Sequence, residues 1–540
     1  MHPIPMLPFA LSALFALLSA AQTPGQELPP TAEAAARAAA AAAAAPRPIR
    51  VGLRARRGGA DRLDPLRYIG GFHTKTMLYE TLVTRGDDGR LAPGLAQRWQ
   101  FADDGRAVRF ELRPGARFHD GTAVTADAVA LHFRRWLGLP EHDWLLANRH
   151  VTGVTVESPT AFTVALDAPY ALLDDLCAIN PCAIAGPGAR DWEGEFARPM
   201  GSGPFRFAEA LDGGARWRVE RVLDGAPFEI AFFRRGRDSA PLDALERGDL
   251  DLFVGGWDED LPAERLRAMA ADPRFCVDRA AGSSVVWLSF RLDQGPTRDT
   301  ALRRRVAAAI DRAALLAAVE DGHGAPCTAW AAPTVAFWPR GRSVPTPTDP
   351  LPGPVALTIA AGRAESRAAR TAAAVAAQLR ARGFDVELRH APRADANAED
   401  AAARAVARRE LVALAERCDL RVEITHGMPY DPHRSLVARF GPPSRDGEPE
   451  VRAGCTPALR ELVTAVAGIP DEVERVPLYA QIQELMDREA LVVPLFAPDR
   501  VLVRSREVDG VVLGPDLYRV DLTGLHRCDA GEAGQAEVAR

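Results

Sequence analysis

The sequence predicts a mixed α/β chain folded into two lobes, and three stretches carry that prediction. Residues 242–253 (LDALERGDLDLF) read as a helix, a glycine stop and a buried strand. Residues 355–388 read as a strand (VALTIA from 355), a helix over 368–382 ended by Gly383, and a second strand over 384–388; this is a parallel β-α-β unit. Residues 285–290 (VVWLSF) form a strand that enters a second lobe. The chain is expected to cross between lobes near 285 and again near 470. Two such lobes leave a cleft, where ligands favour binding. No long low-complexity linker separates them, so they are expected to move as hinged bodies.

Taken from the start, residues 1–21 (MHPIPMLPFALSALFALLSAA) carry an apolar run of signal-peptide length, too short to span a bilayer, with small residues before Gln22. They are read as a signal peptide, although the segment before the run has no Lys or Arg. No cysteine stands near the cleavage site to take a lipid. Residues 22–46 form an Ala-rich tail with no apolar stripe to bury, expected to be disordered. The implied location is the periplasm, as an exported soluble protein.

The folded part opens with a strand at 48–53 (PIRVGL) and a turn at Leu63-Asp64-Pro65. A helix is expected over 72–83, turns at 86–89 and 102–105, and a strand at 108–112 with Phe110 and Leu112 on one face. Phe118–Gly121 is a tight turn, and 126–137 an amphipathic helix with Thr125 as N-cap. Residues 151–156 and 162–166 form a hairpin through Ser158-Pro159. The run 200–205 (MGSGPF) is a glycine-rich crossing, followed by strands at 216–222 and 228–233. In the second lobe, 302–319 is a periodic helix with Val306, Ile310, Leu315 and Val319 on its apolar face. Helices at 401–415 and 472–489, and strands at 422–425, 491–496, 501–503 and 511–513, complete the fold.

Composition narrows the function classes. The net charge of −6 and pI near 6.1 offer no positive field for nucleic acid or an anionic membrane. Lys75 is the single lysine beside many arginines. The seven cysteines show no CxxC or Cys/His metal spacing. Cys177 and Cys182 are close enough in sequence to pair in an oxidising compartment; the other reading is that they are small buried hydrophobes. Gly201-Ser202-Gly203 is one residue short of a nucleophile elbow, and no phosphate loop, dinucleotide fingerprint or HExxH motif occurs. The chain is expected not to be an enzyme and to hold no prosthetic group.

The stretch 422–436 (VEITHGMPYDPHRSL) runs a short strand into a Gly/Pro turn crowded with His426, Tyr430, Asp431 and His433. It reads as the wall of a binding cleft. The alternative is a strand end whose turn residues cap a helix at Asp431 or Ser435.

An ordered set of motifs carries a resemblance. Met77–Val83 (MLYETLV), Asp88-Gly89, Pro93-Gly94-Leu95-Ala96, Trp99, Asp104-Gly105, Phe118–Thr122 (FHDGT), 125–129 (TADAV), Gly201–Phe205 (GSGPF) and 245–252 (LERGDLDL) resemble the extracellular solute-binding proteins of family 5, which serve peptide and nickel ABC transporters. The resemblance runs from about 48 to 525. It implies a two-lobed fold like that of type II periplasmic binding proteins, with mixed sheets and an interlobe ligand cleft. It places 47–284 and 471–525 in lobe I, with an extra subdomain at about 86–200, and 285–470 in lobe II, leaving 526–540 as a tail. The implied partners are an ABC permease and its ATPase, with no nucleic acid, and the chain is expected to be monomeric.

Within that family His142–Leu145 (HDWL), Pro169-Tyr170 with Asp174-Asp175-Leu176, and Pro429–His433 (PYDPH) resemble the nickel-binding branch. The family's peptide binders carry an Asp directly before the corresponding Tyr; Pro429 offers no carboxylate for a peptide ammonium. The resemblance therefore implies nickel, or another transition metal, carried as an organic chelate. Short peptides or modified amino acids are the alternative cargo, and an exported sensor or enzyme the alternative of another class. Glu141 and Asn180 stand where the nickel branch has two arginines, Ser444 where it has a histidine, and His426 where it has a Trp. His426 is thus the candidate metal ligand, or else a hydrogen-bonded wall residue. Arg439 and Arg445 are candidate replacements for the lost clamp. Tyr68, Phe72, Trp144 and Tyr430 are the candidate apolar lining, with Phe72 and Trp144 equally readable as core. His73 and His142 are read as ordinary packing or surface histidines that could face the cleft, and His433 as a residue of the loop's own structure.

Overall fold

The alternation Ile49, Val51, Leu53 puts one apolar side chain per pleat into the interior, and all three are buried in the Ile49–Arg54 strand. The strand lies inside a seven-stranded sheet of a computed structural model. That model describes residues 47–54, 60–67, 72–142, 145–191, 193–233, 240–255, 261–342, 353–361, 366–390, 401–425, 432–441, 455–516 and 519–528. In order across the sheet come Phe275–Ala280, Arg500–Ser505, Leu252–Val254, Ile49–Arg54, Pro227–Phe233, Arg216–Arg221 and Phe205–Leu211. Ile49–Arg54 is parallel to both of its neighbours, and the outer pairs are antiparallel. The predicted helix–glycine–strand unit feeds this sheet. The Ala240–Glu246 helix stops before Gly248, which has φ +73°, and Leu252–Val254 follows, fully buried.

A second, six-stranded sheet runs Gly324–Pro326, Val492–Pro498, Val286–Phe290, Leu420–Ile424, Ala356–Ala360 and Asp385–Arg389. Ala356–Ala360 and Asp385–Arg389 are parallel and joined by the Arg367–Arg380 helix, as the sequence predicts. Ser366 caps that helix by accepting from the Ala369 N–H. A third sheet of four strands, Ala96–Phe101, Ala107–Leu112, Ala161–Leu166 and Val151–Ser158, contains the predicted hairpin.

Four expectations differ from the structure. The helix expected over 72–83 stops at Leu78. The carbonyls of Thr81 and Leu82 are taken instead by the N–H groups of Leu95, Gly94 and Ala96. The helix expected over 302–319 is two, Thr300–Ala309 and Arg312–Glu320. Ile310 turns extended, and the Asp311 side chain accepts from Ala314 N, so an internal cap outweighs the continuous apolar stripe. Residues 511–513 form no strand beyond a single bridge between Val512 and Asp521. The second passage between the large sheets lies at Asp499 rather than near 470, because Val492–Pro498 pairs with Val286–Phe290 while Arg500–Ser505 pairs with Phe275–Ala280.

The glycine-rich crossing has a steric reason. A Cβ on Gly201 would sit 1.9 Å from the Leu78 carbonyl oxygen, and one on Gly203 2.5 Å from that of Met77. Two backbones touch here, and no side chain fits between them.

Candidate ligand-binding site

The Leu420–Ile424 strand is central in the six-stranded sheet, and its far end is tightly fixed. Thr425 N donates to the Val285 carbonyl at 2.8 Å, and Val285 N donates to Thr425 Oγ1 at 2.8 Å. Val285 itself stands at the first passage between the two large sheets. Residues 426–431, with His426 and Tyr430, lie outside the described residues, as do Tyr68, Trp144 and Arg445. The chain is described again in the Pro432–Phe440 helix.

That helix is held at its first turn from three sides. Trp330 Nε1 donates to the Pro432 carbonyl at 3.1 Å. Tyr479 Oη and His433 Nδ1 are 2.9 Å apart. Arg434 is ion-paired with Asp175. His433 is buried, and burial together with the nearby Arg475 guanidinium holds its pKa well below the ordinary value. The neutral ring shares this hydrogen bond with the tyrosine hydroxyl. This agrees with reading His433 as part of the loop's structure.

Facing that turn is the Leu172–Leu176 helix, with Asp174 and Asp175 both buried. Asp174 meets Arg85, and its second oxygen lies 2.6 Å from Arg475 Nη1. Burial alone would push its carboxyl up, but Arg475 and Arg85 outweigh it and hold the carboxyl well below the usual carboxylate range. Asp175 also accepts from Ala147 N at 2.7 Å. For Asp175 burial prevails over Arg434, and its pKa is raised.

Two candidate residues beside this helix have definite partners. Asn180, fully buried, accepts from Lys75 Nζ at 2.8 Å, and Lys75 also donates to the Arg67 carbonyl at 2.9 Å. The single lysine of the chain thus braces the position where the resemblance puts a ligand clamp. Phe72 is half-buried and packs against the core that includes Met77, Leu78 and Tyr79, with Lys75 Nζ 6.0 Å from its ring centre. Of Glu141 the backbone is described, in a short 3-10 turn, Pro140–His142. His142 is buried, its Nε2 2.6 Å from the Leu66 carbonyl oxygen, whereas His73 is half-buried.

Arg439 is engaged inside the second half of the molecule. It donates to Glu423 Oε1 at 2.7 Å, and its guanidinium lies 5.5 Å from the centre of the Trp287 ring. Arg421 and Ser289 also donate to Glu423, at 2.8 and 2.6 Å. Arg439 and Arg421 outweigh burial at Glu423 and keep its carboxyl below the ordinary value.

Cys177 and Cys182 are both buried; the Cys177 thiol donates to the Leu173 carbonyl, and Cys182 is a free thiol that burial pushes well above its usual pKa. Among the described residues no group of three or more His, Cys, Asp or Glu is placed to hold a metal ion.

The sequence reading missed Arg85, Glu472 and Arg475. Its usable signal was LLDDL, two adjacent carboxylates inside an apolar run, which need cations from elsewhere in the chain.

Residues 90–409 match the bacterial extracellular solute-binding proteins, family 5 Middle. The chain belongs to that family. It is a family 5 ABC solute-binding protein. It is 24% identical over 481 residues to the nickel-binding periplasmic protein of Escherichia coli K12, covering 82% of this chain and 87% of that one. It is 24% identical over 460 residues to a probable di/tripeptide-binding protein of Pseudomonas aeruginosa, covering 79% and 85%. Its fold is similar to that of NikA from Brucella suis, solved in complex with Fe(III)-EDTA, with a TM-score of 0.68 and 21% identity over 88% of this chain and 100% of that one. The type II periplasmic-binding-protein fold and the family 5 resemblance are thus borne out. The relatives are binding proteins by name, and among the described residues no helix is long and apolar enough to cross a membrane.

Proposed function

We propose that this family 5 protein works in the periplasm, capturing a transition metal, nickel first, as a complex with a small organic chelator and handing it to an ABC permease and its ATPase. Capture takes place in a cleft between the two sheets, and the lobes close by a hinge motion. The observation that carries the reading is the segment Pro429–His433. It lacks the carboxylate a peptide ammonium needs, and it follows a strand end pinned by Val285 and precedes a helix turn pinned by Asp175 and Tyr479. The match to a nickel-binding protein along most of the chain supports it.

His426 is the proposed metal ligand, because a neutral imidazole suits nickel, copper and zinc. Tyr68, Phe72, Trp144 and Tyr430 are proposed to line the cleft, and Glu141 and Arg445 to face the chelator; Asn180 joins them only where its bond to Lys75 gives way. Arg439 can serve there only by sharing its guanidinium with Glu423.

Calorimetric titration of nickel into the protein, with free histidine present, tests the proposal. Saturable binding that weakens tenfold or more in His426→Ala is expected, a loss of about 1.4 kcal/mol. A peptide cargo is the second reading, favoured by the match to the di/tripeptide-binding relative. Saturable heat with dipeptides and none with nickel would select it.

A further inference from the structure

Two hydrophobic cores lie on either side of a cluster of buried charges. On one side Val83, Leu172, Leu173 and Leu176 belong to the core of the seven- and four-stranded sheets. On the other side Leu436, Phe440, Tyr479 and Ile482 belong to a core beside the six-stranded sheet. Between them stand three carboxylates, Asp174, Asp175 and Glu472, and three guanidiniums, Arg85, Arg434 and Arg475. Arg85 pairs with Asp174 and with Glu472 Oε1 at 3.0 Å, Arg475 with Asp174 at 2.6 Å, and Arg434 with Asp175. Among the described residues the cluster has three charges of each sign, and the Arg475 and Asp174 side chains are 0% and 1% exposed.

The backbone joins in. Leu91 N donates to Glu472 Oε2 at 3.2 Å, Ala336 N to the Asp88 carbonyl at 3.1 Å, and Ala171 N to the Ala467 carbonyl at 3.3 Å. Each of these bonds has one partner on either side of the seam.

We propose that this charge cluster is a latch between the two lobes, holding them together across the seam independently of cargo. A buried ion-pair network adds little net stability over an apolar seam, but it favours one register, because sliding one side past the other separates Asp174 from Arg475 and Asp175 from Arg434. Removing one member weakens the compensation of its partner in a dry environment. The separate cores on either side give that charge a way out short of unfolding: the seam opens and water reaches it. The proposal rests on the two-lobe reading and not on the identity of the cargo.

The test is solution X-ray scattering of the full chain with no cargo added, read beside far-ultraviolet circular dichroism and the melting temperature. Asp174→Asn is the severe variant, since it removes the buried carboxylate that Arg85 and Arg475 share. Arg434→Gln is the mild one, since the Arg434 side chain is 13% exposed and reaches water easily. Arg434→Gln with native dichroism is expected to show a larger radius of gyration than the unaltered protein, and Asp174→Asn a larger one still if it folds. A lower melting temperature in Arg434→Gln with an unchanged radius of gyration would overturn the latch and leave an ordinary stabilising pair. The scattering is read on the unaltered cargo-free chain against its variants, so loss of the latch leaves the cargo to be decided by titration of the unaltered protein with nickel.

Discussion

Arg439 donates to Glu423 at 2.7 Å while its guanidinium lies over the Trp287 ring, 5.5 Å from the ring centre. The pair ties the Pro432–Phe440 helix to the Leu420–Ile424 strand, the two elements that flank residues 426–431 in sequence. Its side chains are 11% and 16% exposed, so it is shielded from most solvent screening. Glu423→Ala removes the carboxylate that Arg439, Arg421 and Ser289 share. The unfolding free energy, measured by urea denaturation, is expected to fall by about 3 kcal/mol. A fall under about 1 kcal/mol would mean the pair behaves as a surface salt bridge.

The contact at Gly201 makes a sharper structural prediction. A Cβ there overlaps the Leu78 carbonyl oxygen, and backbone on both sides has nowhere to go. Gly201→Ala is expected to cost about 2 kcal/mol or more, or to abolish soluble expression. Gly153 is the control, since a Cβ at that position meets nothing within 4 Å. Gly153→Ala is expected to be within about 0.5 kcal/mol of the parent.

Stability is expected to depend on pH through buried histidines. His132 is buried, its Nε2 donates to the Pro181 carbonyl at 2.8 Å, and burial lowers its pKa to about 4. The unfolded chain takes up that proton near pH 6.5, so the fold loses stability as pH falls from about 6.5 to about 4, by about 3 kcal/mol for this residue. His433 and His119, also lowered by burial, act in the same direction. Asp175, raised by burial, acts oppositely: its contribution is lost as pH rises through its folded pKa. The informative quantity is therefore the difference between parent and His132→Gln, which keeps a donor for Pro181 and removes the titration. Urea midpoints at pH 7 and pH 4.5 are expected to differ less in the variant than in the parent; equal differences would mean the ring is already solvated.

Much of the fold was legible because its signals are local. Gly248 stops one helix, Ser366 starts another, and the alternation at Ile49, Val51 and Leu53 marks a strand, each within a few residues. The errors came where a distant partner decides. The helix after Phe72 ends at Leu78, whose carbonyl accepts from Gly203 N, and the strand 492–498 changes sheet because it pairs with Val286–Phe290. The candidate site shows the same division. His433 and Asp174-Asp175 stood out as residue types in the sequence. Their partners Tyr479, Arg85 and Arg475 lie 46, 89 and 301 positions away and give no local sign. Arg439 was read as available for a ligand because Glu423, sixteen positions earlier, does not announce itself as its partner.

The central claim is that this family 5 protein carries a metal chelate and not a peptide. A thermal-shift panel of the purified protein tests it most directly, with nickel, cobalt, zinc and copper each with and without free histidine, beside a set of dipeptides. A bound cargo at a hundred times its dissociation constant stabilises the fold by about 2.7 kcal/mol, which raises the melting temperature measurably. The account predicts a rise with nickel and histidine together and none with dipeptides. A rise with dipeptides and with no metal complex would contradict it.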